Sequence, residues 1–215
     1  MDLILKIFYS PDEALKEIKE KKPLAIPLAV LIVINMVMTF LYIKFITIPH
    51  IDVLMEGKEM PPEAQKFMTS GTFYLVSIIG GFFSFIIATL LLAFIFYLIT
   101  IVFKGKGEFL SWWSSSIHIS AITVLGSIIA FPVAYLKGSP KVNLDFSLLF
   151  QFLSEKNFLR IFLEQTNFFV LWSVFLYGLA LHYIGELDKK KGLYISFGLW
   201  FVYSIIMTII GILRA

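Results

Sequence analysis

The stretch Leu179–Trp200, LALHYIGELDKKKGLYISFGLW, sets a histidine, two acids and three lysines between two long apolar runs. A turn this charged between segments this apolar suits two membrane helices joined in water. The rest of the chain has the same texture. Of its 215 residues 59% are hydrophobic and only 15% charged, with a mean hydropathy of +0.87. Soluble domains carry about 25% charged residues. Uncharged intervals recur at 23–43, 67–103, 109–136, 165–185 and 192–213. Each reaches the roughly 20 residues that a helix needs to cross about 30 Å of hydrocarbon. Backbone groups in lipid must be satisfied within the span, and these runs lack the period-two alternation of barrel strands. The fold class predicted is an all-α, polytopic membrane helical bundle. Residues 1–22 read as a cytoplasmic amphipathic N-terminal helix and residues 23–215 as a five-span domain. Its spans lie near 24–43, 73–103, 115–136, 167–185 and 193–213.

Orientation follows from the basic residues. With the N-terminus inside, ten fall on the inner side: five before residue 23, then Lys104, Lys106 and Lys189 to Lys191. The other eight (Lys44, Lys58, Lys66, Lys137, Lys141, Lys156, Arg160 and Arg214) are spread over longer outer segments. The density favours N-inside. Trp112 and Trp113, where the second inner loop meets the third span, are placed as interfacial anchors. Trp172 and Trp200 are placed as packing residues.

Two extramembrane regions have helical patterns. Leu3, Ile4, Ile7 and Phe8 form a short apolar stripe suited to the membrane surface. SPDEALKEIKEKKP then starts a second helix, with Ser10 as N-cap, Pro11 at N1 and Glu13 completing a capping box. Asp12–Lys16 and Glu17–Lys21 are i, i+4 pairs. This helix reads either as a docking element for a cytoplasmic partner or, preferably, as one packed on the inner loops or headgroups. In the outer loop, Phe146, Leu149, Phe150 and Leu153 have helical spacing. Phe158, Ile161 and Phe162 repeat it after a phase break near Asn157. Two short amphipathic interfacial helices, or a lid over the outer mouth, explain that pattern.

Polar residues within the spans are the candidate site. Ser116, Ser120, Thr123, Ser127, Ala130 and Ala134 make one face of the third span small. Ser77, Gly81, Ser84 and Ala88 do so on the second, and the two faces are expected to pair. The alternative is a hydroxyl-lined pathway for a solute or ion. Asn35 is placed as an interhelical hydrogen-bonding clamp. His118, His182 and Glu186 gather near the inner interface, where a metal or proton relay is conceivable. No third ligand, HExxH, Ser–His–Asp order or phosphate-cradling loop accompanies them. No charge lies deep in a span, where ion pathways usually need one. We therefore expect no catalytic residue, metal or cofactor, and read Glu186 and Asp188 as solvated counter-charges in a turn. Cysteine is absent, excluding disulfides and thiolate chemistry. A net charge of +3 without a basic stripe excludes nucleic acid as a partner. The N-terminal segment lacks the apolar core and cleavage site of a signal peptide. The lysine-rich, cysteine-free composition suits a thermophilic prokaryote.

Three stretches together resemble the Yip family of integral membrane proteins, named for interaction with Ypt/Rab GTPases. They are YSPDEALKEIKEKKPLAIPLAVL (9–31), KGKGEFLSWWSSSIHISAITVLGSIIAFPVAYL (104–136) and LWSVFLYGLALHYIGELDKKKGLYISFGLW (171–200). The resemblance implies five spans, a cytoplasmic N-terminus and a prokaryotic-type member. It also implies a non-enzymatic scaffold or adaptor in membrane trafficking or transport complexes. Membrane-protein partners or self-association follow, in a prokaryotic plasma membrane. The chain lacks the DLYGP element and long N-terminal region of eukaryotic members, so Rab binding is not expected.

Overall fold

The computed structural model describes residues 2–55, 61–139, 144–154 and 156–214, and among these it is helical throughout, with no strand. Lys58 and Lys141, both used in the charge count, lie outside the described residues. Two short helices, α1 (Asp2–Tyr9) and α2 (Pro11–Lys21), form a hairpin at one end of the bundle, here the near end. The first span, α3 (Ala25–Tyr42), continues through one wide turn of π-helix, Ile43–Thr47. At the far end lie α4 (Ile51–Met55) and α5 (Pro62–Met68). The return span, α6 (Gly71–Val102), has 32 residues. At 1.5 Å per residue that is about 48 Å, more than the hydrocarbon thickness. Next, α7 (Phe109–Lys137) runs back to Gly138, whose φ of 57° ends it.

The fourth span departs from the uniform rod expected over 165–185. It is made of α8 (Phe158–Glu164) and α9 (Phe168–Tyr183), bent by 67° to one another. α9 alone has 16 residues, about 24 Å. Among the described residues four helices are long and apolar enough to cross by themselves, and the count reaches five when the bent pair is taken as one broken span. The chain closes with α10 (Lys189–Arg214), packed along α9 and against α8.

Packing corrects several local expectations. Ser10 makes no side-chain cap, and Glu13, the other half of the expected capping box, turns away to meet Lys6 at 3.1 Å. Glu17 and Lys21 pair at 2.5 Å as expected. Asp12 instead faces Lys189 at 3.8 Å, while Lys16 sits over the Tyr183 ring at 5.3 Å. The hairpin does not float on a surface. Ile7, Ala14, Leu15 and Ile18 are completely buried, in one cluster with Leu176, Leu179 and Leu181 of α9. Trp112 is no interfacial anchor either: it is fully buried and stacked on Phe96 at 5.7 Å. Trp113 donates to Thr89 Oγ1 at 3.4 Å.

The small faces of α6 and α7 do not meet at Gly81. A Cβ there would lie 3.2 Å from Thr39 Oγ1 and 3.5 Å from Asn35 Oδ1, so this side of α6 serves α3. α6 buries another line instead: Phe85, Thr89, Ala93, Phe96 and Thr100. Bulky and small side chains alternate there, and interlocking shape holds helices together where lipid removes the hydrophobic drive. In the far loop a 3-10 turn, Phe146–Phe150, and α8 stand where two interfacial helices were expected. Asn157, at the phase break, caps α8 by accepting from Leu159 N at 2.9 Å.

Candidate functional site

The candidate site is the near end, where α2 is fastened over the two loops that join α6 to α7 and α9 to α10. Its buried face is Ala14, Leu15 and Ile18. Its polar edge reaches both loops. Lys19 Nζ meets Glu186 Oε1 at 2.7 Å, and Lys22 pairs with Glu108. The Ser114 hydroxyl of α7 donates to the Pro23 carbonyl at 2.7 Å, fixing the link between α2 and α3. These pairs are exposed, where ion pairs contribute about 0–1 kcal/mol each. They set the position of the hairpin, while the apolar face supplies most of its stability.

The loops are joined to each other by backbone. Lys106 N donates to Gly185 O at 3.0 Å, and Gly105 N to Thr100 O at 2.8 Å. A Cβ on Gly105 would overlap the Gly185 carbonyl oxygen, so the two loops cross at a point that admits no side chain. Lys22, Lys104 and Glu186 have φ of 47°, 60° and 55° and are the non-glycine residues in the left-handed region among those described. Such conformations are unfavourable by roughly 1–2 kcal/mol each. All three lie at this end, where surrounding contacts hold them.

The charged groups respond to their partners. The Glu186 carboxyl is held below its ordinary value by the hydrogen bond from Lys19 and then by that lysine's charge. Glu17 is lowered in the same way by Lys21, and Lys6 is raised chiefly by its bond to Glu13. His182 closes the Ile184–Asp188 turn, with Nδ1 2.7 Å from the Leu187 carbonyl. Glu186 is thus an ion-pair partner of α2 and His182 a turn brace. His118 lies fully buried in α7, its Nδ1 2.7 Å from the Ser114 carbonyl. Among the described residues no three His, Asp or Glu side chains assemble into a metal-ligand set.

The hydroxyl line of α7 is split between the two halves of the bundle. Ser116 is fully buried in the near half. Ser120, Thr123 and Ser127 donate back to carbonyls of α7 at 2.6, 2.8 and 3.2 Å. Thr123 and Ser127 border a cavity of 400 Å³ toward the far end, with Tyr42, Asp145 and Asn167. Asn35 borders a separate one of 250 Å³ with Thr39 and Ser127. Ser77 is half-buried, while Ser84 faces outward. The Lys19–Glu186 and Lys22–Glu108 pairs and the Gly105–Gly185 crossing escaped sequence reasoning. Glycines flanking Lys106 were their one local signal.

This hairpin, its two loops and the spans beneath it fall within one conserved unit, for the Yip1 domain family matches residues 5–210. The chain belongs to the Yip family. No curated protein and no solved structure matches it. Yip proteins are non-enzymatic multi-pass membrane proteins, and roles in trafficking and transport are consistent with the family.

Proposed function

We propose that this Yip protein is a membrane scaffold or adaptor of the prokaryotic plasma membrane, with α1 and α2 on the cytoplasmic side. It joins trafficking or transport complexes through partner proteins or further copies of itself. Residues 1–22 act as a cap on the membrane domain of residues 23–215, with the outer face of α2 (Glu13, Lys16 and Glu20) exposed to the water around it. The observation that carries this reading is on α6. Gly81 is used inside the bundle, whereas Gly80, Ser84 and Ala88, one turn apart, face outward. Gly80 has no neighbour within 4 Å of where a Cβ would stand. A small-xxx-small line open to lipid lets a second helix approach closely.

Affinity recovery from native membranes after mild crosslinking, with mass spectrometry of what accompanies the protein, tests the reading. Gly80→Leu and Ser84→Leu are expected to deplete the recovered partner without lowering the melting temperature. Undiminished recovery in both variants would remove this strip as the contact surface.

A further inference from the structure

A crevice of 220 Å³ opens at the near end where α1, α2 and the start of α3 lie over α7. His118 is its floor; Asp2, Leu3, Glu17, Lys21 and Ile26 are among its walls. The histidine is fully buried, and its Nδ1 faces the Ser114 carbonyl. A carbonyl only accepts, so Nδ1 carries the proton and Nε2 of the neutral ring is a lone-pair acceptor. Nε2 has no hydrogen-bond partner. It sits on the ring edge turned away from the α7 backbone. Buried polar groups are almost always paired, so an orphaned acceptor under a crevice marks a place for a donor.

The walls say which donor. Two carboxylates, Asp2 and Glu17, line the crevice together with the imidazole; Glu17 is already bound by Lys21 and Lys6, which leaves Asp2 to meet a cation. Lys21 lies at the mouth, 2.5 Å from Glu17, and is largely exposed. Ile26, in the first turn of α3, is 66% exposed and leads onto the apolar surface of the first span. The space holds about seven waters at 30 Å³ each, more than an aminoethyl group needs.

We propose that this crevice binds the headgroup of a zwitterionic phospholipid bearing a primary ammonium, a phosphatidylethanolamine. The ammonium donates to His118 Nε2 and to the Asp2 carboxylate, the phosphate meets Lys21, and the acyl chains run along Ile26. A trimethylammonium headgroup has no N–H for Nε2, and an anionic headgroup without an amine supplies no cation for Asp2. The imidazole is covered, so engaging Nε2 requires α1 to part slightly from α7. Binding therefore also alters hydrogen-exchange protection of α1.

The test titrates the full chain in detergent with phosphatidylethanolamine, phosphatidylcholine and phosphatidylglycerol of identical chains, read by native mass spectrometry. Phosphatidylethanolamine is expected to bind about tenfold more tightly than phosphatidylcholine, the scale of one charge-assisted hydrogen bond. Asp2→Asn and His118→Phe each narrow that ratio. Should His118→Phe fail to fold, Asp2→Asn at its exposed position carries the test alone. Equal binding of the ethanolamine and choline lipids overturns the proposal. So does a preference that survives in every folded variant, which leaves only a water above His118. Displacement by water-soluble phosphoethanolamine as effectively as by the intact lipid overturns the lipid assignment in favour of a soluble amine.

Discussion

The two ends of this bundle are built by different means. At the far end most helices start on a local cap: Ser70 accepts from Phe73 N, Asn157 from Leu159 N and Asn167 from Val170 N, at 3.3, 2.9 and 2.8 Å. Asp145 starts the 3-10 turn likewise, accepting from Ser147 N at 3.0 Å. A cavity of 400 Å³ lies beside those elements and one of 250 Å³ between α3 and α7, against the crevice of 220 Å³ at the near end. At the near end α2 and α7 start without a side-chain cap, and α10 alone has one, from Asp188 to Lys191 N at 3.1 Å. Order there comes from residues distant in sequence: stacked aromatics, a glycine crossing and ion pairs from α2. The lesson is that local chemistry positions the helix starts of the far end, while long-range packing orders the near one.

The largest effect is expected in the aromatic stack, where Phe96 lies 4.3 Å from Tyr177 and 5.7 Å from Trp112. Trp112→Ala should destabilise by about 3–5 kcal/mol, read as a melting-temperature loss in detergent. Gly105→Val should follow at roughly 1–3 kcal/mol, because its side chain has no room at the Gly185 carbonyl. The converse substitution in the far half, Gly80→Ala, should stabilise by roughly 0.5–1 kcal/mol, since it fills no occupied space within a helix. If Gly105→Val and Gly80→Ala moved the melting temperature alike, the contrast between the ends would fail.

The smallest effect is electrostatic. Glu186 has a carboxyl lowered from its ordinary value of 4.5, so its contribution is present above that value and is lost as pH falls through the lowered one. Glu17 behaves in the same sense, and Lys6 in the opposite one, losing its contribution as pH rises through its raised value. Melting followed downward through this acid range should show a fall that Glu186→Gln reduces. Added salt should weaken the same contribution, since both partners are exposed.

Much of the fold was legible because lipid imposes a simple rule. Uncharged runs of sufficient length must be helices, and the positions of Lys104, Lys106 and Lys189 to Lys191 marked the turns. The phase break at Asn157 was visible because a cap is a local event. The candidate site was far less legible. Asn35, Gly81, His118 and Glu186 were all noticed, but spacing along one helix does not say which neighbour a face meets. Gly81 serves α3, and one turn on Phe85 packs among residues of both α3 and α7, a division no spacing within α6 announces.

By itself the sequence determined that this is an all-α membrane bundle, where its charged turns fall, and that its N-terminal segment is amphipathic. These follow from composition and from periodicity within single segments, whereas the Yip likeness came from the order of three longer stretches. Only the tertiary structure decided that the hairpin is clasped over two loops, that Trp112 is interior and that His118 has an unpaired nitrogen beneath a polar crevice. Each depends on which surfaces of separate helices come together, a choice made by shape among many faces that lipid leaves nearly equal in hydrophobic energy.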